Sequence, residues 1–349
     1  MIDGIRITIY KKDFDSLKGN FNNCKLVSKK QLIDDIPDNR KKRDEIKYHL
    51  PNPNNNHNLG VSIYDNKYIK IYGSLRKWFY GKTNLNDLTQ EKFSQVIKKI
   101  AEQLNIPYSF LLEDARITKI EIGYNIPTKV DCKTIIPSIH CYGKLKEYIN
   151  YHGKNETHYS LGFDKKLRIY NKSKELMDKY KVKIDQIITR IEVEMKDTLS
   201  FEHYRLGKLK SLSDIYREWE NLQLFFLNEI SRLRMITPIS LESHYSKKEL
   251  TMKKYLLRNG FEKGIKKYSK KYKKDIKKVE REFLNLIATH AASETYSIGS
   301  LKKDVLKRFV VINKEDKNIP KNWIAHFLWG TKYSKVLKTA LYNKGKLSA

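Results

Sequence analysis

The sequence predicts an α+β protein: an antiparallel sheet with helices on one face across residues 1–205, and a basic, mostly helical region across residues 206–349. Two periodicities support this prediction. Up to about residue 200, most patterned segments alternate apolar and polar side chains, which is the two-residue period of a β-strand. Beyond that point, apolar residues recur every three or four positions, which is the period of a helix.

The first elements are short strands. Apolar and polar residues alternate across residues 5–10, which predicts a strand. Residues 51–60 are rich in Asn and Pro and predict a loop. Strands over residues 61–64 and 68–72 then flank a short connection, so we expect a β-hairpin there.

A helix follows the hairpin. Thr89 is suited to cap its N-terminus and Glu91 suits the first turn. The apolar residues that share one helical face are Phe93, Val96, Ile97, Ile100 and Leu104. We expect this helix to lie across the sheet.

The remaining elements alternate between strands and helices. The patterns predict strands at 116–126, 158–163, 166–171 and 187–195, and helices at 135–150, 173–180 and 214–234. The face expected to be buried in the last helix consists of Ile215, Trp219, Leu222, Phe225, Phe226 and Ile230.

The charge indicates a polyanionic partner. Lys and Arg number 70 against 40 Asp and Glu, which gives a formal net charge of +30 and a pI near 9.7. DNA or RNA is the first candidate. A membrane surface is disfavoured because the sequence shows no lipidation motif and no long apolar run. The three cysteines lack metal-ligand spacing, so we expect reduced thiols and a cytoplasmic protein.

Two segments are candidates for direct contact with DNA. The first places two basic side chains, Arg76 and Lys77, next to the aromatic ring of Trp78. This ring could stack on unpaired DNA, although core packing is an open alternative. The lysine-rich stretch 247–281 could bind phosphates or could be a solvated helix surface. The lysines predicted there to contact DNA are Lys266, Lys270, Lys273 and Lys277.

One tyrosine lies between two cations. On a strand, Leu167 and Ile169 face one side, whereas Arg168, Tyr170 and Lys172 face the other. Flanking cations favour a phenolate and could hold an attacked phosphate. We therefore treat these three residues as catalytic candidates. Tyrosines are common on strand surfaces, so a packing role stays open.

Carboxylates on two other strands could hold a metal ion. Glu192 and Glu194 lie on one face, roughly 7 Å apart, and Glu121 lies on the polar face of another strand. Oxygen ligands of this kind suit Mg²⁺ or Mn²⁺ and would place the ion on a phosphate. The alternative is that Lys119 and Arg190 pair with these carboxylates across strands. Lys119 and Arg190 are also candidates for DNA contact.

Three blocks together resemble the gene II/X family of phage and plasmid replication initiators. This family is typified by the filamentous-phage gene II endonuclease and is related to the trans-acting rolling-circle Rep proteins of Gram-positive plasmids. The blocks are residues 117–121, 167–176 and 189–196, and residues 2–4 and 73–75 with Asn84 also fit. The likeness is strongest from about residue 115 to 200.

The resemblance implies a rolling-circle Rep-like domain that nicks and rejoins one strand of origin DNA, leaving a 5′-phosphotyrosine and a free 3′-hydroxyl. By this likeness Tyr170 is the nucleophile, and Glu121 and Glu192 are the metal ligands. The supporting groups are Glu194, Arg190 and Lys172. A host helicase and DNA polymerase would be partners. The sequence lacks the adjacent histidine pair of the wider superfamily.

Two alternatives remain open from the sequence. The chain could be a DNA-binding protein without catalytic activity, because charge alone accounts for binding. It could also be a relaxase or transposase that uses the same tyrosine chemistry in DNA transfer.

Overall fold

Nine of the described strands form one large antiparallel sheet. The computed structural model describes residues 1–10, 23–33, 42–65, 67–142, 157–161, 165–196, 209–235, 244–259, 261–290 and 298–315. Within these ranges, nine strands pair in the order β2-β3-β4-β5-β1-β6-β10-β9-β8. They are β1 Ile2–Tyr10, β2 Lys25–Ile33, β3 Lys42–Asn52, β4 Asn55–Tyr64, β5 Tyr68–Ser74, β6 Arg116–Pro127, β8 Thr157–Leu161, β9 Lys165–Asn171 and β10 Ile188–Met195. β7, Ile139–Tyr142, pairs separately with β11, Leu233–Met235.

Helices connect and cover the strands. They are α1 Leu75–Tyr80, α2 Gln90–Leu104, α3 Tyr108–Glu113, α4 Cys132–Ser138, α5 Lys172–Tyr180, α6 Leu212–Arg217, α7 Trp219–Ser231, α8 Lys247–Asn259, α9 Phe261–Tyr272, α10 Ile276–Thr289 and α11 Ile298–Glu315. None of the described helices is long and apolar enough to cross a membrane.

The apolar face of the sheet packs against α7 and α11. Tyr124 of β6 is fully buried, and its ring centroid lies 4.9 Å from that of Phe226 and 4.6 Å from that of Phe309. α2 joins the same core, where the ring centroids of Phe93 and Trp219 lie 5.7 Å apart. Because alternate residues of a strand point to opposite sides, the polar residues of β6, β9 and β10 are left for the other face.

The predicted helix at 89–104 is confirmed, including its cap. The Thr89 hydroxyl accepts a hydrogen bond from the Lys92 backbone N–H at 3.2 Å, which satisfies one of the donors left open at a helix start. The buried residues of α2 include all five of the predicted apolar face. The strand predictions around β1, β6, β8, β9 and β10 are also confirmed, with ends shifted by a few residues at most. Residues 162 and 163 of the strand predicted at 158–163 lie outside the described ranges.

Three element predictions need correction. Residues 51–60 are not a loop, because they complete β3 and begin β4 around a tight turn. The helix expected at 135–150 covers residues 132–138 instead and gives way to β7, and residues 143–150 lie outside the described ranges. The helix expected at 214–234 is divided into α6 and α7, although its predicted apolar face is buried.

The described residues contain two hydrophobic cores. The main core includes side chains from β1, β6 and β10, and also from α6, α7 and α11 after residue 205. A smaller core joins α8, α9 and α10 through residues such as Phe261, Tyr268 and Phe283. The domain boundary near residue 205 stays a prediction.

The docking of α11 on the sheet gives the first testable prediction. Phe309→Ala removes a fully buried ring and should lower the free energy of unfolding by about 3–5 kcal/mol, because the cavity cannot fully collapse. Urea unfolding measures this change. Val311→Ala on the same helix is the control, since Val311 is 44% exposed and its loss should cost about 0.5 kcal/mol or less. Equal stability of both variants would contradict the packing of α11.

Candidate active site

Three carboxylates meet on the polar face at the centre of the sheet. Asp3 of β1, Glu121 of β6 and Glu192 of β10 each offer an oxygen, and these oxygens lie within 4.8 Å of one another. The strands are direct neighbours in the sheet. β1 has a register shift between Ile2 and Gly4, so Asp3 is the extra residue at an irregularity in the ladder. We call Asp3, Glu121 and Glu192 the acidic triad.

Two glycines make room for the acidic triad. A Cβ on Gly123 would lie 2.7 Å from Nη2 of Arg190 and 3.0 Å from Cγ of Glu192. A Cβ on Gly4 would lie 3.2 Å from Cβ of Glu121. Both glycines are cross-strand partners of triad residues, Gly4 of Glu121 and Gly123 of Glu192. The missing side chains therefore allow the carboxylates to approach one another.

Tyr170 of β9 lies beside the acidic triad. Its hydroxyl donates a hydrogen bond to Oε1 of Glu192 at 3.0 Å. The guanidinium carbon of Arg168 lies 5.3 Å from the centre of the tyrosine ring. Cross-strand pairing places Arg168 opposite Glu192 and Tyr170 opposite Arg190, which explains why these side chains meet. Tyr170 is only 8% exposed.

The acidity of Tyr170 differs from the expectation that flanking cations favour a phenolate. Burial and the neighbouring Glu192 charge raise the pKa of Tyr170 well above its ordinary value, and Arg190 and Arg168 offset only part of this rise. The phenol is therefore protonated at neutral pH. A nucleophilic Tyr170 would have to lose its proton during attack.

Arg190 holds two members of the acidic triad in place. Its Nε donates to Oε1 of Glu192 at 2.8 Å, and its Nη2 pairs with Asp3. Its Nη1 donates to the side-chain oxygen of Asn125 at 3.0 Å. Arg190 is wholly buried and presents no surface to a DNA strand in this structure. The side chain is a positioning residue for the carboxylates.

A second ion pair connects this network to α11. Nη1 of Arg190 lies 3.3 Å from Asp87, and Asp87 also accepts a hydrogen bond at 2.9 Å from Nε of Arg308. Asp87 is almost fully buried, so its charge needs both partners. The position of α11 is thus linked to the acidic triad through Asp87 and Arg190.

Glu121 is the weakly paired member of the acidic triad. Among the described residues, the cationic group that pairs with Glu121 is Nη2 of Arg168, at 3.8 Å. Burial, followed by the charges of Glu192 and Asp3, raises the pKa of Glu121 to about 8. Burial would also raise the pKa of Glu192, but Arg168 and Arg190 hold it below its ordinary value. Glu121 is therefore the site where a proton or a cation relieves repulsion.

The donor set of the acidic triad fits Mg²⁺ or Mn²⁺. Carboxylate oxygens are the ligands these ions prefer. Burial and the charges of Glu192 and Asp3 raise the pKa of Glu121, and a bound cation would offset this penalty on its ionised form. Arg168 and Arg190 already contact the same carboxylates. A divalent ion would therefore compete with Arg168 for Glu121 and Glu192.

The structure does not bring Glu194 into the acidic triad. Oε2 of Glu194 pairs with Nζ of Lys119 at 3.0 Å, which is the cross-strand alternative considered from the sequence. Lys119 remains partly exposed on the polar face of β6 and can still meet a DNA strand. The prediction of Glu194 as a metal ligand has no geometric support.

Trp78 and Arg76, two of the residues predicted to contact DNA, are buried in this structure. Trp78 is fully buried and its indole N–H donates to the backbone oxygen of Leu50 at 3.1 Å, which corresponds to the packing alternative considered from the sequence. Arg76 is 1% exposed, donates to the backbone oxygen of Asn84 at 2.7 Å and lies 3.6 Å from Asp3. Between them on α1, Lys77 is half-buried.

Lys172 is also buried, as the first residue of α5. Its Nζ donates to Glu175 at 2.6 Å, and burial lowers the pKa of Lys172 to about 8. The predicted contact between Lys172 and a phosphate therefore lacks support in the described geometry. In contrast, the four lysines predicted to contact DNA are exposed on α9, α10 and the turn between them: Lys266, Lys270, Lys273 and Lys277.

Sequence reasoning missed three residues of the site. Asp3, Asp87 and Arg308 were not among the candidate functional residues, although Asp3 belongs to the opening segment 2–4 that fits the gene II/X resemblance. That short segment was the one available signal for Asp3. Asp87 and Arg308 lie in no motif.

Comparisons with known proteins include a loose structural likeness. No protein-family model matches the sequence, and no curated protein matches it significantly. Among solved structures, the rolling-circle replication initiator protein from Geobacillus stearothermophilus is similar, with 13% sequence identity and a TM-score of 0.37. The match covers 71% of this chain and 89% of that chain. A likeness this loose assigns no role to any residue.

The acidic triad predicts a pH-dependent response to divalent ions. Because the pKa of Glu121 rises from its ordinary 4.5 to about 8 on folding, the folded state holds an extra proton between these values, and stability falls as pH rises through this window. A bound cation replaces that proton. We expect Mn²⁺ at a hundredfold excess over its Kd to stabilise the protein by about 2.7 kcal/mol at pH 9, and Mn²⁺ at the same concentration to stabilise it much less at pH 6.

Thermal unfolding with and without Mn²⁺ measures this response. Glu121→Gln should remove most of the Mn²⁺ effect and its pH dependence, whereas Glu194→Gln, which alters a carboxylate outside the acidic triad, should retain both. An Mn²⁺ response of equal size in wild-type protein and Glu121→Gln would show that the ion binds elsewhere.

Proposed function

We propose that the protein is a rolling-circle replication initiator that cuts and rejoins one strand of origin DNA with Tyr170 as the nucleophile. The observation that carries this proposal is the hydrogen bond from the Tyr170 hydroxyl to Glu192 of the acidic triad. The net charge of +30 supports a DNA substrate. The resemblance of the blocks at 117–121, 167–176 and 189–196 to gene II/X initiators supports the reaction type.

The reaction exchanges one phosphodiester for another. The Tyr170 oxygen attacks the phosphorus, and its proton passes to Glu192, 3.0 Å away. The bond from phosphorus to the 3′ oxygen breaks, and that oxygen takes a proton from water. The hydroxide that remains takes the proton held by Glu192, which returns the carboxylate to its starting state. The products are a 5′-phosphotyrosine and a free 3′-hydroxyl for a DNA polymerase. The reverse reaction rejoins the strand without an added energy source.

The balance of acidities decides when the proton moves. The pKa of Tyr170 is raised and that of Glu192 is lowered, so proton transfer is unfavourable before the oxygen–phosphorus bond forms. Asp3, Glu121 and Glu192 would hold Mg²⁺ or Mn²⁺, which when bound supplies positive charge to the attacked phosphate. Glu192 thus has two roles, because it takes the proton of Tyr170 and would also hold the cation together with Glu121 and Asp3.

Arg168 controls access to Tyr170. It lies over the tyrosine ring and pairs with Glu192, and it is 32% exposed while Tyr170 is nearly buried. A phosphate of the DNA strand would compete with Glu192 for the guanidinium. Movement of Arg168 toward the phosphate would uncover the Tyr170 hydroxyl and free a carboxylate oxygen for the cation. The substrate would be single-stranded or extruded DNA, because the nucleophile must reach the backbone of one strand.

Replacement of Tyr170 tests the proposal. Tyr170→Phe keeps the ring and removes only the hydroxyl, so it should lower nicking of labelled origin DNA by at least about 1,000-fold and abolish the covalent adduct. A denaturing gel, run after incubation with Mg²⁺ or Mn²⁺, shows whether label travels with the protein. Tyr159→Phe, on neighbouring β8, is the control and should keep full activity.

An adduct that persists in Tyr170→Phe would contradict the assignment of the nucleophile. Salt-sensitive DNA binding by wild-type protein without an adduct under either metal would favour a non-catalytic DNA-binding protein, a role consistent with the near-complete burial of Tyr170.

A further inference from the structure

A cluster of tyrosines and cations lies on the same sheet face as the acidic triad but away from it. The cluster consists of Tyr10, Tyr64, Tyr68, Lys70 and Arg116, from β1, β4, β5 and β6, and we call it the tyrosine patch. We propose that the tyrosine patch binds unpaired bases of a DNA strand. This inference rests on the proposed function, because it takes the bound strand to be the substrate.

The rings of the tyrosine patch lie side by side across three strands, with Tyr64 and Tyr68 stacked and the Tyr10 ring tilted by 53° against Tyr68. Tyr68 pairs with Tyr10 of β1 on one side and with Tyr64 of β4 on the other. The Tyr64 and Tyr68 rings are stacked, with centroids 4.9 Å apart and planes 21° apart. The Tyr10 ring lies 6.3 Å from Tyr68. Base faces can extend such a stack regardless of base identity.

Cations lie over these rings. Nζ of Lys70 is 4.8 Å from the centre of Tyr64 and 5.2 Å from that of Tyr68, and the guanidinium of Arg116 is 5.2 Å from the centre of Tyr10. Aromatic rings and basic groups thus alternate within the patch. This is the pairing of base-stacking and phosphate-binding groups that single-stranded nucleic acid requires.

The tyrosine patch is ordered in advance and open to a ligand. Tyr64 is fixed by a hydrogen bond to Glu45, which lies on neighbouring β3 and is largely buried. The ring therefore loses little freedom on binding. Tyr10 is 39% exposed, which leaves much of its ring to solvent. A large exposed aromatic next to fixed rings is typical of a binding surface.

Basic residues connect the tyrosine patch to the acidic triad. Gly4, opposite Glu121, lies six residues before Tyr10 on β1, which corresponds to about 20 Å along the strand. Between them, Arg6 lies opposite Lys119 on the same face, and Arg6 is exposed. One DNA strand could therefore lie across Arg6 and Lys119 with its bases on the patch and its backbone at Tyr170.

The chemistry favours unpaired DNA over duplex DNA as the occupant. Bases in a duplex already stack on one another, so their faces are closed to tyrosine rings. Duplex would meet only the cations of the patch, and that interaction carries no preference for open bases. The patch should therefore discriminate single-stranded from duplex DNA.

Fluorescence anisotropy with labelled oligothymidylate tests the patch directly. The full-length protein is used with EDTA present, so binding is measured without cleavage. Tyr10→Ala and Tyr68→Ala should each weaken binding about tenfold, the loss expected for one stacked base. Tyr68→Phe retains the ring and should bind as tightly as wild type. Tyr216→Ala is the matched control, since Tyr216 is 44% exposed on α6, outside the patch.

A duplex of the same length completes the experiment. Binding of duplex should be nearly unchanged in all variants. The inference is overturned if the alanine variants bind oligothymidylate as tightly as wild type does. It is also overturned if they lose affinity for single-stranded and duplex DNA equally, or if Tyr216→Ala loses as much affinity for oligothymidylate as they do. Unfolding midpoints identify any variant that fails to fold. Tyr10→Ala should fold normally because Tyr10 is exposed, so its affinity tests the patch even if Tyr68→Ala fails to fold.

Failure of this inference is distinguishable from failure of the proposed function. If the tyrosine patch is wrong, Tyr170→Phe still abolishes the adduct while the patch variants bind DNA normally. If Tyr170 is not the nucleophile, the patch variants still lose affinity for single strands in EDTA, where no cleavage occurs.

Discussion

The site depends on the buried guanidinium of Arg190. Its hydrogen bonds hold Asp3 and Glu192 close together, and its contact with Asp87 extends through Arg308 to α11. Charges removed from water are tolerated only when they are paired and hydrogen-bonded. Arg190 therefore allows several carboxylates to share the centre of the sheet, and Gly123 provides the space in which it lies.

The same network leaves one position open to chemistry. Arg168 and Arg190 lower the pKa of Glu192, whereas Glu121, with only a distant contact to Arg168, has a raised pKa. A proton or a divalent ion on Glu121 would neutralise the carboxylate charge that the arginines leave weakly paired. Since the Tyr170 hydroxyl donates a hydrogen bond to Glu192, a change in the charge of the carboxylates alters the electrostatic environment of the tyrosine. Basic and aromatic residues across the rest of this face would then guide a strand toward the tyrosine.

Sequence patterns predicted the strands that carry the site because alternation is a local property. The two-residue period predicts β6, β9 and β10. It also predicts that Glu121, Tyr170 and Glu192 lie on the polar faces of these strands. The loop prediction at 51–60 failed because cross-strand pairing outweighs the weak strand preference of Asn and Pro at the start of a hairpin. Asp3 was missed as a ligand because its partner Arg190 lies 187 positions away in the chain, a contact that no local pattern encodes. Burial of Trp78 and Arg76 is likewise a tertiary property.

The central claim is that Asp3, Glu121 and Glu192 form one cation site beside the Tyr170 hydroxyl. Anomalous diffraction from crystals soaked in Mn²⁺ near pH 9 tests it most directly. The account predicts an anomalous peak about 2.1 Å from an oxygen of each carboxylate, the distance expected for such hard ions, with Arg168 displaced from Glu121. An absence of any peak there, with Arg168 and Arg190 still bound to the carboxylates, would show that the cluster is an ion-pair network without a metal role.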